Sequence, residues 1–269
     1  MAKSVSGHRP RRRFGQNFLT DQGVIQAIVA AIAPAPEDRI VEIGPGLGAL
    51  TGALLARIEK ISAIEIDRDL AAKLRRRFGA ERLELHLADA LSFDFAALAG
   101  QGRLRVVGNL PYNISSPLLM HLSVFRDVII DQHFMLQSEV VKRITAAPGN
   151  GDYGRLTVML AAHYDSEAVL EVPPEAFDPP PRVNSAVVRM RVLAQPRTAA
   201  LAELGAVLSV AFGQRRKMLR GTLLPWLVAQ GVEPAGIVPT ARAEELSAAQ
   251  YFGIAEELVR RRGAASAVR

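Results

Sequence analysis

The sequence predicts an α/β fold: a parallel sheet with helices on both faces, followed by a small all-helical C-terminal part. Short apolar runs alternate with helix-like stretches through the first half of the chain, which is the pattern of strand–helix–strand units. The first of these runs ends in a glycine-rich turn. Past Gln195-Pro196, Ala and Leu recur with helical periodicity to the end. The domain line is therefore expected after residue 194, giving units 1–194 and 195–269.

Taken in order, Ile40-Val41-Glu42-Ile43 reads as a strand ending in Gly44-Pro45-Gly46-Leu47-Gly48, with a helix from Ala49 to Arg57. Ser62 to Ile66 is the next strand, and Leu70 to Phe78 the next helix. Leu83 to Leu87 follows, ending at Asp89, and Leu104 to Val107 is the fourth strand. Val128 to Leu136 reads as a fifth, and Ser138 to Ala146 as a helix. Tyr153 to Ala162 fits helix or strand equally well, because periodicity does not decide a short apolar run. The Pro-rich stretch from Val172 to Pro181 leads into Ser185 to Val192, an alternating strand.

Composition narrows the function. With 269 residues, 49% of them hydrophobic, the chain can bury a sizeable core. It has no cysteine, which removes disulfides, thiolate zinc sites and cysteine nucleophiles. The histidines are scattered without ligand spacing, so no metal is expected. No charge-free apolar run reaches the roughly 18 residues of a membrane span, and a cytoplasmic protein is expected. Lys and Arg total 33 against 27 acids. The excess is clustered: Arg9 to Arg13, Arg75 to Arg77, Arg215-Arg216-Lys217 with Arg220, and Arg260 to Arg262. Such clusters suit a polyanion, although any one alone reads equally as a solvated face.

Ligands of open α/β sheets sit beyond the carboxyl ends of the strands. Four features fall there: the Gly44 loop, Glu65, Asp89 and the run Gly108-Asn109-Leu110-Pro111-Tyr112. Glycines let a ligand approach the backbone closely, and Glu65 is placed to accept both hydroxyls of a ribose. Gly44-x-Gly46-x-x-Ala49 fits a nicotinamide dinucleotide loop as well as a methyltransferase loop. Asp89 can accept from an adenine amino group. Pro111 stiffens the last run, so that the Asn109 amide oxygen and the Leu110 carbonyl stand side by side next to the Tyr112 ring. Two acceptors beside a stacking face suit the amino group of a planar base, for which hydride transfer has no evident use. S-adenosylmethionine fits better than a dinucleotide.

At this point the chain resembles the ribosomal RNA adenine N6,N6-dimethyltransferases, nearest their small-subunit (16S) branch. The matching segments run in order along nearly the whole chain. They are Phe14 to Leu19, Glu42 to Gly48, Glu65-Ile66-Asp67, Asp89-Ala90, Asn109 to Ser115, Leu136 to Val140, Tyr153 to Leu156, Val172 to Ser185 and Phe212 to Leu219. The resemblance implies a Rossmann-like S-adenosylmethionine-dependent sheet with a helical RNA-binding domain. It implies that Asn17 and Leu19 close over the cofactor, that Gly44 and Gly46 hold its methionine part, and that Glu65 and Asp89 bind its ribose and adenine. Asn109 would face the transferring methyl, and Leu110 rather than Ile favours the 16S branch.

In that reading Asn109 and Leu110 take the amino protons, while Tyr112 and Phe177 stack on the target adenine. Phe177 reads equally as a core aromatic under the Pro-rich loop. Arg12, Arg13, Arg215, Arg216, Lys217 and Arg220 would grip phosphates. The implied partner is 16S rRNA in an immature small ribosomal subunit, and the chain is expected to act as a monomer. Competing readings are a nicotinamide oxidoreductase, an assembly factor whose binding matters more than methylation, a large-subunit rRNA adenine methyltransferase and a DNA adenine methyltransferase.

Overall fold

The computed structural model describes residues 17–111 and 114–267. The chain divides into two compact units, one running up to Val141 and including Ser166–Val192, the other made of Lys142–Asp165 and the residues from Leu193 on.

In the first unit, β1 (Phe18–Leu19) leads into α1 (Gln22–Ile32), whose N-cap Asp21 accepts from the Val24 N–H at 2.9 Å. β2 (Ile40–Ile43), α2 (Ala49–Leu55), β3 (Ile61–Glu65), α3 (Arg68–Arg82) and β4 (Leu83–Leu87) follow as alternating units. Then come α4 (Phe95–Ala99), β5 (Leu104–Asn109), α5 (Ser115–Val124), β6 (Ile129–Gln137) and α6 (Ser138–Thr145), the last running across the line between the units. The expected strands at 40, 62, 83, 104, 128 and 185 are all present, shifted by a residue or two. β3 and β5 pair with β2 in parallel, and so do β4 with β3 and β6 with β5. Apart from the edge strand β4, these strands are largely buried on both faces, which is why they read as near-continuous apolar runs.

The segment 153–162 forms α7 (Arg155–Ala161), which settles its ambiguity toward helix. β7 (Tyr164–Val172) was not legible as a strand, because Asp165, Glu167 and Glu171 break its apolar pattern. It is the last strand of the order β4-β3-β2-β5-β6-β9-β7, where charged side chains are tolerated. There Glu167 pairs with Arg189 of β9 (Ser185–Val192) at 2.7 Å. β9 runs antiparallel to β6, so the sheet is mixed rather than purely parallel. β8 (Phe177–Asp178) pairs antiparallel with β1 in a separate ribbon, Leu19 opposite Phe177.

The second unit holds α8 (Leu201–Gly213), α9 (Leu223–Ala229) and α10 (Ala248–Ala267). Its boundary differs from the one the sequence suggested, since residues 142–165 belong with it. The reason is packing: Tyr153, Val158 and Ala162 join one buried cluster with Leu204, Val207, Leu208, Leu227 and Tyr251. No helix among the described residues is long and apolar enough to cross a membrane.

Candidate functional site

The sheet order changes direction between β2 and β5, because β3 and β4 build outward on one side and β6 on the other. At the carboxyl ends of these strands lies a cavity of about 290 Å³. Asn17, Leu19, Gly44, Gly46, Glu65, Asp89, Asn109 and Leu110, all expected at a site, line it.

The loop after β2 is shaped by its glycines. Gly44 and Gly46 have φ of 66° and 58°, in the left-handed region that side chains avoid. A Cβ on Gly46 would stand 3.2 Å from the Phe18 ring, so the loop and the N-terminal strand close on each other without side-chain bulk between them. Phe18 in turn packs with Leu47 and Leu70. Glu65 ends β3 with its carboxylate held in place: one oxygen accepts from the Asp67 N–H at 2.8 Å and the other from the Gly46 N–H at 3.3 Å. Burial pushes its pKa up against those hydrogen bonds. Both oxygens keep lone pairs for a pair of hydroxyls. Asp89 is exposed on the cavity wall, where Oδ1 accepts from the Leu91 N–H at 2.9 Å. It therefore stabilises a local turn while still facing the cavity.

Asn109 ends β5. Its Nδ2 donates to the Asn17 carbonyl at 3.1 Å. A carbonyl at that spot accepts only from the NH₂, so Oδ1 is the atom left to accept from a ligand. Leu110, 1% exposed, donates its N–H to the Met135 carbonyl at 3.1 Å, and its own carbonyl accepts no hydrogen bond among the described residues. Tyr112, Arg12 and Arg13 lie outside the described residues. Phe177 is placed as the core aromatic rather than the stacking one. It is 4% exposed, is absent from the cavity lining, and shares a buried cluster with Leu19, Val172 and Ala176.

Of the lining residues that were not singled out from sequence, four stand out. Glu42 is 2% exposed within β2, and Thr51 Oγ1 donates to its Oε2 at 2.6 Å. Burial pushes its pKa up to about 7. Its signal was present, since an acid inside an otherwise apolar strand calls for a partner or a role. His133 is 2% exposed and burial pushes its pKa down to about 4, so it is neutral at pH 7. Met135 and Ile66 complete the set. Neither is distinguishable in sequence from any other apolar residue near a strand end.

In the second unit, Arg215 is tied to its own fold. It donates to the Gly151 and Tyr153 carbonyls at 2.5 and 2.9 Å and stands 3.5 Å from Glu244. Arg216, Lys217 and Arg220 are exposed and make no ion pair among the described residues. Arg260 and Arg261 both pair with Glu257, and Arg262 pairs with Glu203.

The charge of the cavity decides between its two candidate ligands. Among the described residues, Glu42, Glu65 and Asp89 line it, no Lys or Arg does, and the one histidine there is neutral. Such a lining repels the pyrophosphate of a dinucleotide and suits a cationic sulfonium and ammonium. The ribosomal RNA adenine dimethylase profile matches residues 7–260.

The chain belongs to the ribosomal RNA adenine dimethylase family.

Within the rRNA adenine dimethylases, it is 58% identical to the ribosomal RNA small subunit methyltransferase A of Bordetella pertussis over 257 residues, covering 95% of this chain and 96% of that one. The protein of the same description from Burkholderia multivorans is 53% identical over 272 residues, covering 98% of each chain. Among solved structures, a dimethyladenosine transferase from Plasmodium falciparum aligns with a TM-score of 0.77 at 24% identity, over 91% of this chain and 98% of that one. The 23S rRNA methyltransferase ErmE aligns at 0.66 with 29% identity, over 90% of this chain and all of that one (100%). The expected Rossmann-like α/β class with a helical C-terminal part is thus the fold of this rRNA adenine dimethylase.

Proposed function

We propose that this chain transfers methyl groups from S-adenosylmethionine to N6 of two adjacent adenines near the 3′ end of small-subunit (16S) ribosomal RNA, producing N6,N6-dimethyladenosine. The observation that carries the reading is the pair of acceptors, Asn109 Oδ1 and the Leu110 carbonyl, unengaged among the described residues at the edge of an acid-lined cavity. Support for the small-subunit substrate is the identity above 50% to the two methyltransferase A relatives, against 29% to ErmE.

Gly44 and Gly46 would hold the methionine part of the cofactor, Glu65 its ribose and Asp89 its adenine. Bound there, it supplies an electrophilic methyl on sulfur. The residues of the chain supply position and electrostatics. The N6 lone pair of adenine is delocalised into the ring and is a weak nucleophile. Held through both hydrogens by Asn109 and Leu110, the nitrogen is free to pyramidalise with its lone pair toward the cavity. No strong base is required, because the methylated nitrogen is cationic and loses its proton readily. The target base must leave its stack at a cost of a few kcal/mol. Tyr112 is assigned to offset that by stacking, and Phe177 is not, given its burial. Arg216, Lys217 and Arg220 would grip phosphates without reading sequence, joined by Arg12 and Arg13. We take the substrate to be an immature small subunit and the enzyme to act as a cytoplasmic monomer.

The test is mass-spectrometric mapping of dimethyladenosine in small-subunit RNA from cells with and without this protein. Asn109→Ala should abolish the modification while S-adenosylmethionine affinity stays within about tenfold. Normal modification in cells lacking the protein, or undiminished turnover in the variant, would overturn the reading.

A further inference from the structure

Two transfers at one nitrogen pose a packing problem. Each forms an N6–C bond, breaks an S–C bond of the donor, whose sulfur keeps the electron pair, and releases one proton to solvent. Before the first, both N6 hydrogens can point at Asn109 and Leu110. Before the second, a methyl occupies one of those two directions. A hydrogen-bonded N···O pair sits at about 2.9 Å, whereas a carbon approaches an oxygen no closer than about 3.3 Å. The monomethyl base must therefore sit displaced from the position of the unmodified base, and the wall beside one acceptor has to yield to it.

Both acceptors are fixed. Asn109 is tied to the Asn17 carbonyl, and Leu110 is tied through its N–H to β6. We propose that Met135 is the yielding wall, and that its side chain sets whether the enzyme proceeds from monomethyl to dimethyl product. Met135 is the register partner of Asn109 in the parallel β5–β6 pair, so both side chains leave the same face of the sheet, and both line the cavity. Its carbonyl accepts from Leu110 at 3.1 Å, which makes it neighbour to both acceptors. It is 3% exposed, while Phe134 and Leu136 on the opposite face are wholly buried. The next lining residue along β6 is His133, a rigid ring. Methionine has three rotatable bonds and a soft thioether, so it can fold away from an added methyl where a β-branched or aromatic chain cannot. The proposal rests on the acceptor roles of Asn109 and Leu110 given above.

The experiment compares wild type with Met135→Ile, which is similar in volume but stiff at χ1, and with Met135→Leu. Undermethylated small ribosomal subunits are incubated with excess enzyme and S-adenosylmethionine, and monomethyl- and dimethyladenosine are quantified over time by mass spectrometry. Met135→Ile should keep the first transfer within about threefold and slow the second at least about tenfold, so monomethyladenosine accumulates. Met135→Leu should keep the wild-type product ratio within about threefold. Met135→Phe, larger and also stiff, replaces the isoleucine variant if that one fails to bind S-adenosylmethionine calorimetrically. A wild-type ratio in a cofactor-binding stiff variant, or proportional slowing of both transfers, overturns the role of Met135. Undiminished transfers in Asn109→Ala instead overturn the acceptor reading, whatever residue 135 does.

Discussion

Glu42 shows how one residue couples the core to the cavity. Its carboxyl is 2% exposed, donated to by Thr51 and close enough to Glu65 to feel its charge. Its pKa in the fold, about 7, lies above its ordinary 4.5. Over that interval the folded state binds more protons than the unfolded one, so stability contributed below pH 4.5 is lost as pH rises through about 7. The full shift corresponds to roughly 3 kcal/mol. Glu42→Gln removes the titration, so the melting temperature of the wild type should fall relative to this variant between about pH 5 and pH 8. Parallel melting curves would show that Glu42 is already ionised at the lower pH. The upward shift of Glu65 has the same sign and, apart from its coupling to Glu42, is common to both proteins, so the difference chiefly reports Glu42.

At the scale of elements, one close approach and one ion-pair network hold β5 in place. A Cβ on Gly108 would lie 2.4 Å from the Ile43 carbonyl, so only glycine lets β5 sit against β2 where Asn109 begins. Gly108→Ala should cost roughly 2 kcal/mol and weaken cofactor binding with it, read by urea denaturation and calorimetry. Unchanged values would mean that the strand shifts freely. Arg105, on the same strand, is 12% exposed and reaches Asp131 at 2.8 Å, Asp38 at 2.6 Å and the Ile32 carbonyl at the end of α1 at 2.6 Å. Removing it leaves two partly buried carboxylates without their cation. Arg105→Ala should therefore destabilise by about 3 kcal/mol, visible as a lower urea midpoint. No change would make the network a surface feature. The elements themselves were largely legible, because strands buried on both faces write themselves as apolar runs between turn residues. The strand at 164–172 was not, since an edge strand carries charges on its open side and resembles a loop.

For the whole molecule, the net charge of +6 is distributed unequally in what it can do. The C-terminal arginines are spent on Glu203 and Glu257, and Arg215 on backbone carbonyls, which leaves Arg216, Lys217 and Arg220 facing solvent. Charge reversal at those three should weaken RNA binding and lower its salt slope by up to about one for each phosphate no longer gripped, with an unchanged melting temperature. Arg215→Ala should instead lower the melting temperature. If affinity survives the triple reversal, this face is merely solvated.

The sequence by itself determined the alternation of strands and helices and the four strand ends that line the cavity, with two backbone and side-chain acceptors beside Pro111, since each is local in the chain and follows from apolar period or turn chemistry. It left Phe177 and Arg215 undecided, and it gave no sign of Met135. Only the tertiary structure decided these. A ring is core or platform, and a guanidinium is bound or open, according to what distant segments place against it. Methionine next to the acceptors is a matter of strand register, which a single chain of letters does not contain.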